Sequence, residues 1–158
     1  MLHHVSVGVR DVARAAQFYD AVLATLGYKR VMEFMPYGIG YGDTHPQFWV
    51  QLPSDRNPSS VGNGVHIGLM ARSKEAIHAF HRAALGAGGA NEGDPGPRPD
   101  YGPTYYGAFV RDLDGNKLEA CLVPKEAVAK RAAPKRKKAK RAKAKGKRRG
   151  AKRRGKAK

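Results

Sequence analysis

Cysteine is nearly missing from this sequence. Cys121 is the single one among 158 residues. No disulfide can form within the chain, as expected of a protein from a reducing compartment. Long apolar runs are missing too. Nothing approaches the roughly 20 residues that a membrane-spanning helix needs, and the opening residues lack the pattern of a secretory signal. A cytoplasmic chain with no membrane partner is expected. Aromatic residues are sparse at 8%, with one tryptophan, Trp49. Acid is nearly missing from one end. Residues 125–158 hold nineteen Lys and Arg against one acid, Glu126. Residues 1–124 hold eleven basic and twelve acidic residues, a net charge of −1. The formal net charge of +17 therefore describes a tail and says nothing about a fold. The length suits one domain of ordinary size.

What is present begins with an alternating stretch, "HHVSVGVRD". Val5, Val7 and Val9 share one face of a strand, and His4, Ser6 and Gly8 share the other. Asp11 suits an N-cap. "VARAAQFYDAVLATLGY" then spaces Val12, Ala15, Ala16, Tyr19, Val22, Leu23 and Leu26 as one helical face, closed by Gly27. Three short strands are predicted near 28–35, 37–43 and 46–52. Residues 53–63, "PSDRNPSSVGN", read as a linker.

After the linker the pattern restarts. "GVHIGLMARSKEAIHAFHRAAL" lies over "HHVSVGVRDVARAAQFYDAVL" at a constant offset of 62. His66 falls on His4, Gly68 on Ser6 and Phe80 on Phe18, with Ser73 as the second N-cap. A long Gly/Pro loop, "GDPGPRPDYGP", leads to strands near 104–111 and 116–123. Matching "FWVQL" to "LEACL" puts Trp49 and Glu119 at corresponding positions. Each half of such a repeat buries its apolar face only with its twin.

"HHVSVGVRDVARAAQFYDAVLATLGY", "GVHIGLMA" and "GAFVRDLDGNKLEACL" together resemble the vicinal oxygen chelate superfamily. Glyoxalase I, bleomycin- and fosfomycin-resistance proteins and extradiol dioxygenases belong to it. The resemblance covers residues 1–123, with modules over about 1–52 and 64–123. It implies an α+β fold of two tandem βαβββ modules forming a curled mixed sheet around a cavity. It also implies a small-molecule substrate, a divalent metal in many members, a homodimer, and lyase, isomerase or dioxygenase chemistry.

Spacing reaches the same place independently. His4 and His66 occupy equivalent points on the faces away from the packing valines. Glu119 alternates with Leu118 and Ala120, so it turns to the other side with Cys121. Two histidines and a carboxylate form a three-ligand set with open positions, suited to Fe, Mn, Zn or Ni. The metal would polarise a carbonyl or enediolate, or hold a substrate beside dioxygen. Glu119 is also the candidate catalytic residue, as a proton shuttle. Glyoxalase I commonly has a fourth protein ligand, and here that position is Trp49, which cannot ligate. Gln47 lies on the same face. Trp49, Gln47, Tyr101, Tyr105, Tyr106 and Arg111 are the candidate substrate-binding residues. His3, His78, His81 and His45 read as structural or loop residues. Three functions stay open: a metal-dependent enzyme, a metal-free small-molecule binder, and a nucleic-acid-associated protein.

The third rests on the tail, residues 124–158. Its Lys/Arg/Ala/Gly composition offers no large apolar side chain beyond its first residues, so disorder is expected. Lys135, Arg136, Lys137, Lys138, Lys140 and Arg141 head a segment that would neutralise phosphates on DNA or RNA without reading sequence, giving nucleoid association. DNA affinity, measured by titration at rising salt, should fall steeply and vanish on truncation after Pro134. Full affinity in residues 1–124 would refute this role.

Overall fold

A computed structural model describes residues 2–122. The tail, with Lys135 to Arg141, lies outside the described residues. The first module runs β1 (Val5–Gly8), α1 (Val12–Ala24), β2 (Lys29–Phe34), β3 (Gly38–Gly42) and β4 (Phe48–Gln51). The second runs β5 (Ile67–Ala71), α2 (Lys74–Gly86), β6 (Ala90–Pro97), β7 (Tyr106–Arg111) and β8 (Lys117–Leu122). Each module is a four-stranded mixed sheet, ordered β1-β4-β3-β2 and β5-β8-β7-β6. The first strand of each pairs in parallel with the last, and the other pairings are antiparallel. Neither sheet closes into a barrel.

Local signals account for these elements. Asp11 caps α1 by accepting from the Arg14 N–H at 3.0 Å. Ser73 caps α2 by accepting from the Ala76 N–H at 3.2 Å. Each such cap contributes about 1 kcal/mol. Gly27, at φ +84°, turns the chain out of α1 in the left-handed region that side chains disfavour. β6 departs from expectation, because its "GDPGP" reads as loop. It forms as an edge strand with register shifts between Asn91 and Gly93 and between Gly93 and Gly96. Edges and bulges are where a sheet tolerates Pro and Gly.

One core spans both modules. Val9, Phe18, Tyr19 and Val22 join Ile77, Phe80, Leu118 and Ala120, all nearly inaccessible to solvent. Gly89 lies so close to Phe18 that a Cβ there would stand 2.8 Å from the ring. The polar joint is Asp112. Its carboxylate accepts from the Tyr19 hydroxyl at 2.6 Å, from the backbone N–H groups of Asp114 and Asn116, and from the Asn116 side chain. Asn116 also donates to the Gly8 carbonyl at 3.0 Å. The β7–β8 turn is thereby tied to α1 and β1. Burial first, and the Asp112 charge second, push the Tyr19 phenol well above its ordinary range.

Tyr19→Phe should cost about 1.5–3 kcal/mol in denaturant unfolding, since it leaves a buried carboxylate short of one donor. An unchanged midpoint would show that the joint carries no load.

Candidate functional site

The duplication survives in the register. In the first sheet Ser6 stands opposite Trp49. In the second, Gly68 stands opposite Glu119. The equivalence read from sequence is therefore one of backbone position.

In the second module Glu119 is 3% exposed, yet it lies on the face turned away from Leu118 and Ala120. The carboxylate lies across β7, where Gly107 clears room for it. A Cβ at residue 107 would sit 2.9 Å from Glu119 Oε1. Tyr105, just before β7, donates its hydroxyl to that Oε1 at 2.6 Å. Glu119 Oε2 faces His66 Nε2 at 3.3 Å, and the imidazole is half exposed. The His66 ring meets Phe109 edge-on, with centroids 5.9 Å apart. Lys117 and Arg98 approach the Phe109 ring at 5.0 and 5.6 Å. Burial, and then the bond to Glu119, push the Tyr105 phenol far above its ordinary range. Burial also raises the Cys121 thiol, which suits packing better than nucleophilic chemistry.

The first module is different. His4 is exposed, and its Nδ1 lies 2.8 Å from His3 Nδ1. His3 in turn approaches the His45 ring at 6.0 Å. His4, His66 and Gln47 line one cleft of about 360 Å³ between the starts of β1 and β5. Gln47 Oε1 is buried there with no hydrogen-bond partner among the described residues. Trp49 stacks on Phe34, with centroids 6.1 Å apart and planes 16° from parallel. It lines a larger cavity of about 1100 Å³ beneath residues 53–59.

The three remaining candidates separate. Tyr101 packs edge-on against Tyr105 at 5.3 Å and is exposed. Tyr106 faces α2 instead, sharing a 2.9 Å hydrogen bond with His78 and lying under the Lys74 ammonium. Arg111 pairs with Glu92 and donates to the Gly115 carbonyl at 2.7 Å, holding the end of β7. His81 is buried, with Nε2 2.9 Å from Asn91 Oδ1, in keeping with a structural role. Phe34, Tyr37 and Arg56, which line the larger cavity, were not singled out from sequence. The glycines of β3 facing Trp49 were the available signal.

Two ligands bound at about 2.0–2.2 Å to one ion stand roughly 3.0–3.5 Å apart. The 3.3 Å between His66 Nε2 and Glu119 Oε2 meets that spacing. A third ligand does not join them, because no set of three His, Cys, Asp or Glu side chains converges among the described residues. The chain presents two-thirds of the expected ligand set on one module and His4 on the other.

Paired four-stranded mixed sheets of this topology, with a histidine just ahead of β5 and a carboxylate on its parallel partner β8, define a class of two-module α+β proteins. The sequence model of the Glyoxalase/Bleomycin resistance protein/Dioxygenase superfamily matches residues 1–120, and the chain belongs to that superfamily. A glyoxalase/bleomycin resistance protein from Albidiferax ferrireducens T118 is 36% identical, at a TM-score of 0.68, over 78% of this chain and 99% of its own. A glyoxalase-related enzyme from Fulvimarina pelagi is 19% identical at 0.61, over 78% and 88%. Lactoylglutathione lyase from Agrobacterium tumefaciens is 15% identical at 0.55, over 77% and 92%, a likeness of fold alone. No curated protein matches the chain.

The Tyr105 bond has a titration consequence. Tyr105 should add no phenolate absorbance up to about pH 11, past the ordinary tyrosine range near 10. Wild type and Tyr105→Phe should then give equal absorbance changes. A smaller change in the variant would mean that the hydrogen bond is absent in solution.

Proposed function

We propose that the chain is a metal-dependent enzyme of the glyoxalase/dioxygenase type, acting on a small oxygen-bearing substrate. The observation that carries this reading is the His66–Glu119 pair, an imidazole and a buried carboxylate at ligand spacing. His66 and Glu119 supply two ligands to a divalent ion such as Fe, Mn, Zn or Ni. His4 supplies the third from a second copy of the chain in a homodimer. When bound, the metal acts as a Lewis acid toward adjacent substrate oxygens. Tyr105 fixes Glu119 Oε1, so Oε2 is the atom left to ligate or, when free of the ion, to carry a proton. The apolar flank of Phe109 excludes water beside that atom.

A metal-free binding protein is the second reading. Tyr105 already satisfies half of the Glu119 carboxylate without any ion, and Trp49 removes the fourth ligand position.

Metal analysis of untagged protein separates the two. Wild type should hold about one divalent ion per chain, and His4→Ala and His66→Ala should each lose it. Unfolding and refolding the two variants together should restore about a quarter of the wild-type metal, since half of the dimers are mixed and each has one intact site. Metal content unchanged by His66→Ala would leave the metal-free reading standing.

A further inference from the structure

The 1100 Å³ cavity of the first module contains none of the proposed metal ligands. Its floor is aromatic. Gly40 stands opposite Trp49, and a Cβ there would press within 3.1 Å of the indole ring. The missing side chain lets the indole lie flat across β3, where Phe34 stacks on it. Tyr37 adds a third ring at the mouth. Phe34 and Tyr37 are 57% and 69% exposed, an unusual cost for two large rings on neighbouring positions.

The wall is cationic. Arg10 and Arg56 line the cavity, and no Asp or Glu among the described residues does. Arg10 is engaged by Asp114 at 3.4 Å. The Arg56 side chain makes no hydrogen bond or ion pair among the described residues. Its backbone sits at φ +62°, in the left-handed region that a non-glycine residue adopts at a cost. A turn holds it there. The Arg56 N–H donates to the Pro53 carbonyl at 3.1 Å, and the Asp55 carboxylate accepts twice from Asn57. Ser59 Oγ lies behind the wall, buried and with no hydrogen-bond partner among the described residues. A planar aromatic surface and a guanidinium with no partner among the described residues line one volume.

We infer that this cavity binds a planar aromatic carboxylate, its ring on Trp49 and Phe34 and its anion at Arg56. Stacking on the indole supplies apolar contact. The guanidinium fork matches a carboxylate with two parallel hydrogen bonds. The inference is independent of the metal reading, because the cavity's groups need no ion.

Trp49 is the single tryptophan of the chain, so its fluorescence reports this cavity and no other place. The probes are 4-nitrobenzoate and its neutral counterpart, 4-nitrobenzyl alcohol, titrated into full-length protein stripped with chelator, at about 150 mM salt to screen the basic tail. Nitrobenzoate should quench saturably and bind about tenfold tighter than the alcohol. Arg56→Gln should abolish that preference and leave the alcohol's affinity unchanged, with an unaltered circular dichroism spectrum. Arg56→Lys should retain part of it. Absence of saturable quenching, equal affinity of the two probes, or an intact preference in Arg56→Gln would overturn the proposal. Failure of quenching leaves the metal analysis untouched, and the reverse also holds.

Discussion

Everything in this fold hangs on how its two halves are fastened, and the fastening is a buried carboxylate. Asp112 gathers donors from its own hairpin and from Tyr19 of the other module. Each module presents one apolar sheet face and one helix. Neither can stay open to water, so each is completed by the other. Hydrophobic burial supplies the drive but little direction. The Tyr19–Asp112–Asn116–Gly8 chain of hydrogen bonds supplies direction, because a buried carboxylate short of donors penalises any other docking. The "DLDGNK" turn serves this joint, and the outward faces inherit their relative placement from it.

Those outward faces began as the same backbone. Ser6 and Gly68 hold equivalent registers, as do Trp49 and Glu119. In both modules a glycine on the neighbouring strand clears room for the side chain that lies across it. Gly107 does so for Glu119 and Gly40 for Trp49. The chemistry has diverged on this shared frame. One face carries an imidazole and a carboxylate tied to a tyrosine. The other carries stacked rings beside an arginine with no ion pair among the described residues. A single chain thus keeps its acid–base chemistry and its aromatic surface on separate sheets.

Much of this was legible without coordinates, for reasons that differ by residue. The strand–helix order followed from periods of 2 and 3.6, and both helix N-caps followed from Asp11 and Ser73. The pairing of Trp49 with Glu119 followed from the repeat. β6 was not legible, because Pro and Gly signal a loop unless an edge position relieves the strand of its hydrogen bonds. Tyr105 and Tyr106 were not separable either. Adjacent strand residues point oppositely, but which one faces the carboxylate depends on where the strand enters the sheet.

The sequence by itself determined the duplication, the apolar faces and the identity of the groups opposite them, because these depend on local spacing. It also determined that the positive charge belongs to a tail. Only the tertiary structure decided which groups meet. His66 and Tyr105 converge on Glu119 while His4 stands apart, and Arg56 reaches an aromatic cavity from a linker. Such distances depend on how two modules dock and how a turn folds back, which are sums over many contacts that no short stretch of sequence contains.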